Sequence, residues 1–227
     1  MRLAVLVLLI ALLPGAPARA VTTETVVLDG VTVRLWPGSQ QVVTVRHTRG
    51  WHARLTFWRF EEGHWLRRFQ ASGRTGYGGL AAAAERVQGS GTTPLGSFRL
   101  LGTFGTHASP GTRMFYRRVG PGDFWVQDNA SPYYNRWRNR ADGRFRWWLP
   151  ASNVNSSERL SNYPVQYEYA VTTSFNQAQV RYRGAGIFLH VDGPGATAGC
   201  VSGPRWFLRA VFRRLDPRLV PVIGIGR

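Results

Sequence analysis

Lysine is absent from this sequence: all 29 Lys/Arg positions are arginine. That absence excludes a Schiff-base lysine, the phosphate-gripping lysine of a P-loop and a Ser-x-x-Lys acylation site. Cysteine is nearly absent as well. Cys200 stands alone, so no internal disulfide can form. A free thiol in an oxidising compartment is a liability unless it is buried or put to use. Acidic residues are few, 12 against the 29 arginines, and the formal net charge is +17. Such a charge implies polyanionic surroundings: nucleic acid, anionic lipid, or an envelope rich in carboxylate and phosphate. Long apolar runs are missing too. The one apolar run, Leu3 to Leu13, is too short to span a bilayer.

That run lies between Arg2 and Ala18-Arg19-Ala20, a positive n-region and a small-x-small cleavage site. Residues 1–20 therefore read as a secretory signal peptide. The protein is expected to be exported to the cell wall or the extracellular space, with no stable membrane insertion. Export selects the envelope over nucleic acid as the polyanionic partner, although arginines and aromatics interleave between Arg136 and Trp147. Residues 21–40 are expected to be an N-terminal lead, loose around Val21 to Gly30. Residues 41–227 are expected to be one folded domain, because 227 residues build a single core more readily than two.

Abundant glycine and proline, 26 and 13 residues, favour short strands and turns over long helices. Leu55 to Phe60 alternates apolar with polar, Glu61-Glu62-Gly63 turns, and His64 to Arg67 resumes, which reads as a hairpin. Ser97 to Leu100, Phe124 to Val126, Tyr167 to Phe175 and Val220 to Ile225 are further expected strands. Ala185 to His190 is apolar enough to be a buried one. Gly73 to Gly96 is expected to be loop, with at most a helical turn at Ala81 to Ala84. Ala130 to Asn162 is expected to be loop or short helix over the core. One helix is expected, Arg205 to Leu215, capped by Ser202, with Pro204 in its first turn. Trp206, Phe207, Ala210, Val211 and Leu215 share its apolar face. The fold class is mainly β.

Chemistry concentrates between Ile187 and Ser202. Cys200 directly precedes the expected helix start, where unpaired N–H groups and partial positive charge favour a thiolate. Ala198-Gly199-Cys200 carries no bulky side chain ahead of the sulfur, so the Gly199 and Cys200 N–H groups are candidate oxyanion donors. His190 ends a strand ten residues earlier, and the Asp192 to Gly195 turn can fold the chain back to bring imidazole beside thiol. That is the nucleophile and base pair of acyl transfer. Arg205 and Arg209, on the expected helix, are candidates to hold a substrate carboxylate. His190-x-Asp192 lacks a matching cluster elsewhere: His47, His52, His64 and His107 are scattered, so neither metal nor other cofactor is expected.

The stretch resembles the active-site signature of the L,D-transpeptidase (YkuD-like) catalytic domain family. Thr197-Ala198-Gly199-Cys200 matches that family's Ser/Thr-His-Gly-Cys turn, and His190 matches its upstream base. Thr93-Pro94-Leu95-Gly96-Ser97-Phe98 resembles its Thr-Pro-x-Gly-x-Phe turn. Trp125-Val126 through Asn135 resembles the aromatic-polar segment of an actinobacterial-looking branch. Three departures stand out: Ala198 replaces the usual histidine, the loop from His190 to Thr197 is short, and Ser202 sits where Asn or Arg is common. The resemblance implies a β-sandwich with a few short helices and long loops. It implies Cys200 as nucleophile, His190 as base, and Gly199 and Cys200 N–H groups as the oxyanion site. The base would be oriented by the Val191 carbonyl or, as a rival, the Asp192 side chain. Thr197, Ser202 and Arg205 would contact substrate. It implies a monomer acting on peptidoglycan stem peptides, through a thioester at Cys200 that an amine converts to a 3–3 cross-link. An L,D-carboxypeptidase or other thiol hydrolase, and a non-catalytic wall-binding protein, are the alternatives.

Overall fold

Short alternating segments separated by turn residues give strands here, and the computed structural model describes residues 24–227. The expected signal peptide lies outside them. The strands are β1 (Thr25–Leu28), β2 (Val31–Arg34), β3 (Gln41–Arg49), β4 (His52–Glu61), β5 (His64–Arg74), β6 (Leu80–Ala82), β7 (Thr93–Gly105) and β8 (Tyr116–Arg118). They continue with β9 (Asp123–Trp125), β10 (Trp137–Asn139), β11 (Glu158–Arg159), β12 (Ala170–Thr173), β13 (Phe188–Val191), β14 (Val201–Gly203) and β15 (Val222–Gly226). One α-helix, α1 (Arg205–Arg214), lies between β14 and β15. The protein is mainly β, a sandwich whose two sheets run into one another.

Pairing follows the order β12-β13-β14-β5-β4-β3-β15-β7, and β7 pairs back onto β12, so eight strands close a circuit. The thirteen-residue β7 makes the closure by changing partners. Its Gly96 to Arg99 stretch lies beside β15, and its Leu100 to Phe104 stretch lies beside β12. The expected hairpin is β4–β5, with Glu61 opposite His64 and a two-residue turn of Glu62 and Gly63, both at positive φ. Parallel pairing of β13 with β14 sets Leu189 opposite Val201 and His190 opposite Ser202. A circuit of this kind puts one set of side chains inside, and that set is the core. Val43, Val45, Leu55 and Phe57 from β3 and β4 meet Leu189, Val201 and Ile223. The helix seals the set with Phe207, Leu208, Val211, Phe212 and Leu215, each fully buried. Full burial of such side chains stabilises by about 1.5–3 kcal/mol each.

Three expectations about elements are corrected. The segment ahead of residue 41 is not loose from Glu24 onward. Asp29 and Gly30, both at positive φ, turn β1 onto β2, and Leu28, Val31, Val33 and Leu35 pack on Val42 and Val222. The helix buries Leu208 and Phe212 where Trp206 and Ala210 were expected, and Trp206 stays exposed. Ser202 does not cap it. Val201 to Gly203 is held extended as β14, with Ser202 opposite Arg74 of β5, and Pro204 occupies the cap with no side-chain hydrogen bond.

Candidate active site

The end of β13 and the start of β14 open onto a cavity of about 690 Å³. His190 and Cys200 both line it. His190 is on β13, and its position is fixed by the ladder on either side, with Ala170 of β12 opposite. Its Nδ1 lies 2.7 Å from the Val191 carbonyl oxygen. A carbonyl can only accept, so Nδ1 carries the proton and the neutral ring leaves Nε2 as the basic atom. Tyr167 stands edge-on to the imidazole, with centroids 5.5 Å apart. Burial holds the imidazole down at about 4, against a smaller opposing contribution from the Val191 carbonyl. His190 is thus neutral across the physiological range.

Asp192 does not touch the imidazole. Its carboxylate accepts from Ser202 Oγ at 2.7 Å and sits 4.0 Å from Arg74 Nε. The side chain expected as a rival orienter instead ties β14 to β5.

Cys200 is half-buried and free. Its Sγ donates to the Gly186 carbonyl at 3.1 Å and accepts from the Phe188 N–H at 3.3 Å. Its hydrogen-bond partners are therefore main-chain atoms and not the imidazole. The expectation of a depressed thiol pKa is corrected: burial pushes the thiol up to about 12. The Glu158 carboxylate adds to the rise, while the Phe188 N–H and Arg86 oppose it. The physical reason is that the helix begins at Arg205, beyond β14, so no helix N-terminus faces the sulfur. The resting pair is a neutral thiol and a neutral imidazole.

The turn carrying Cys200 is braced by hydroxyls. Thr197 Oγ1 donates to the Cys200 carbonyl at 2.6 Å and accepts from the Gly199 N–H at 3.1 Å. Thr93, fully buried at the start of β7, accepts from the Gly76 N–H at 2.8 Å, and its Oγ1 lies 3.4 Å from the Cys200 carbonyl. The Thr93-Pro94-Leu95-Gly96 segment is thereby coupled to the cysteine turn, a role the sequence alone did not reveal. Thr197 lines the cavity, but its hydroxyl is spent inside the turn. The Gly199 N–H, expected to face an oxyanion, is likewise engaged.

Gly199 sits at φ +129, and a Cβ there would meet Arg86 Nη2 and the Thr92 carbonyl, each at 2.7 Å. No larger residue fits without displacing both. The position is tight because Arg86 is 6% exposed behind the turn. It donates to the Thr92 carbonyl at 2.7 Å and the Arg183 carbonyl at 3.1 Å. It forms no ion pair among the described residues. A buried guanidinium without a carboxylate places positive charge beside the sulfur, and sequence reading missed it among so many arginines.

Two expected substrate contacts lie away from the cavity. Ser202 is fully buried and occupied by Asp192. Arg205 is exposed, pairs with Glu168, and borders a separate shallow depression with Trp206 and Arg209. A further residue went unnoticed in the sequence: Glu158 of β11 lines the cavity, and burial pushes its carboxyl up to about 7. Among the described residues, no helix is long and apolar enough to cross a membrane.

Comparison with known proteins supplies a family. Among curated proteins none matches the sequence. The crystal structure of the helical cell shape determining protein Pgp2 from Campylobacter jejuni is similar at a TM-score of 0.44 and 15% identity. The alignment covers 83% of this chain and 48% of that one, so the chain spans about half the length of that protein. A family model for the L,D-transpeptidase catalytic domain, YkuD, matches residues 41–223, most of the chain, and the protein belongs to that family.

Proposed function

We propose that the protein is an exported enzyme that performs cysteine-dependent acyl transfer on peptidoglycan stem peptides. The observation that carries this reading is the shared cavity: a half-buried Cys200 sulfur and the His190 ring, its Nδ1 held by the Val191 carbonyl, line one recess. Cys200 Sγ attacks the peptide carbonyl that precedes a terminal D-amino acid. The thiol proton passes to His190 Nε2 as the C–S bond forms, because both groups rest neutral. His190 returns that proton to the leaving amine, and a thioester remains on Cys200. An amine of a second stem peptide then attacks the thioester, releases the thiol and leaves a 3–3 cross-link. The Cys200 N–H is the main-chain donor that would face the oxyanion, and the buried Arg86 charge lies behind it.

The test is intact mass after exposure to a carbapenem, an electrophile for an activated thiol. The wild type gains a stoichiometric adduct and Cys200→Ala gains none. An unmodified wild type defeats the reading and favours a wall-binding protein. Product analysis with purified wall fragments then separates a transpeptidase, which yields cross-linked dimers, from an L,D-carboxypeptidase, which yields trimmed monomers.

A further inference from the structure

Glu158 is the one acidic residue on the wall of the cavity that holds Cys200, in the company of Arg86, Arg140 and Arg159. In a chain of net charge +17 an acid normally finds an arginine. None of the ten ion pairs among the described residues involves Glu158. The carboxylate is instead held by neutral donors. Its Oε1 accepts from the Tyr167 hydroxyl, and Gln127 Nε2 lies 3.4 Å from Oε2. Main-chain pairing fixes its base as well, with Glu158 opposite Trp125 of β9. Tyr167 in turn stands against His190, so the phenol links the acid to the imidazole.

A carboxylate partly withdrawn from water without a cation is disfavoured, and it either takes up a proton or finds a ligand that supplies the missing charge. The ligand chemistry that meets this need in a cavity of this size is an ammonium group, compact enough to enter and able to donate to both oxygens. The surrounding arginines would meet the carboxylates of the same ligand. The two charge types thus divide the wall.

We propose that Glu158 is the binding residue for a primary ammonium group of the peptide substrate, and so a determinant of which peptides enter. The inference rests on the acyl-transfer reading for the identity of the substrate. The ammonium has two sources in that reaction: a side-chain amine of the donor peptide, or the amine of the acceptor.

Calorimetric binding to Cys200→Ala separates them. The ligands are a stem tetrapeptide, which is the donor, and the tripeptide lacking the terminal D-residue, which is the acceptor. Each is prepared with its side-chain amine free and acetylated. Acetylation is expected to weaken at least one peptide by about tenfold or more, the scale of a lost charge-assisted hydrogen bond. Loss confined to the tetrapeptide identifies the donor amine, and loss confined to the tripeptide identifies the acceptor. The difference vanishes in Cys200→Ala/Glu158→Gln, where glutamine keeps the shape and the acceptor oxygen for Tyr167 but not the charge. An acetylation effect that is absent, or that persists in the double variant, overturns the proposal, as does failure of both peptides to bind. The double variant is expected to bind the acetylated peptides as Cys200→Ala does, which separates lost charge from misfolding, since a misfolded protein binds neither form. Failure of the acyl-transfer reading is seen separately, as a wild type that takes no carbapenem adduct and converts no peptide.

Discussion

The two walls of the cavity are held by different means. His190 and Cys200 stand on one wall, set by the β12–β13–β14 ladder and by hydroxyl braces to main-chain atoms. The rest of the lining, from Gln127 to Tyr163 together with the loop at Tyr77 to Gly91, has little ladder, and side chains hold it. Asp128 grips the Arg146 guanidinium and main-chain N–H. Gln88 Nε2 donates to the carbonyls of Gln127 and Val154, while its Oε1 accepts from Asn129 and Tyr134. Reacting atoms need fixed separation, and a ladder fixes backbone most firmly. Groups that select a ligand can ride on loops. Under the proposed function, chemistry falls to the strand wall and recognition to the loop wall.

That division can be attacked from both sides. The largest effect belongs to the strand wall: His190→Gln should slow carbapenem acylation by about 10²–10⁴, the usual contribution of a general base. Stopped-flow rates of adduct formation measure it, and a change below tenfold would remove His190 from the chemistry. Next comes pH. The folded imidazole titrates at about 4 and the unfolded one at 6.5, so the unfolded chain binds the extra proton first. The contribution of His190 to stability is therefore complete above pH 6.5 and falls as pH drops towards 4. The buried ring accounts for about 3 kcal/mol of that loss. Urea unfolding across this window, wild type against His190→Gln, isolates the contribution.

On the loop wall, Gln88→Ala leaves several polar groups unpaired and should cost about 1–3 kcal/mol of stability. It should weaken peptide binding more than it slows acylation by the carbapenem. Equal losses in both measurements would break the comparison between walls. The smallest effect is expected from Asp192→Asn. The Val191 carbonyl, and not this carboxylate, meets the imidazole, so acylation should stay within about twofold of wild type. A loss as large as that of His190→Gln would return Asp192 to the role of orienting residue.

The same contrast explains what could be read in the sequence. The β4–β5 hairpin was legible because alternation and the Glu62-Gly63 turn agree. Cys200 and His190 were legible because each is conspicuous: one cysteine in the chain, and a histidine at the end of an apolar strand. The N-terminal hairpin was within reach, since Asp29-Gly30 between apolar stretches is a strong turn signal. The local signals at Ser202-Gly203-Pro204 pointed to a cap, and tertiary pairing with β13 and β5 overrode them. Arg86 and Glu158 could not have been singled out. Nothing local distinguishes one arginine of a glycine-rich loop, or one acid of an irregular segment, until the fold removes the partners that such residues ordinarily find.

Closure of the eight-strand circuit limits how a peptide can be recognised. Many peptide-binding proteins let a guest chain lie along an exposed strand and read it through main-chain hydrogen bonds. Here every strand of the circuit has two neighbours, with β7 and β12 supplying the last pairing. Beside His190, β13 is paired on both sides, with β12 and β14, so no vacant edge is offered there; β5 meets β14 only at Arg74. Discrimination then falls on side chains projecting into the recess, so donor preference should be retunable by single substitutions there while the strand framework is left alone.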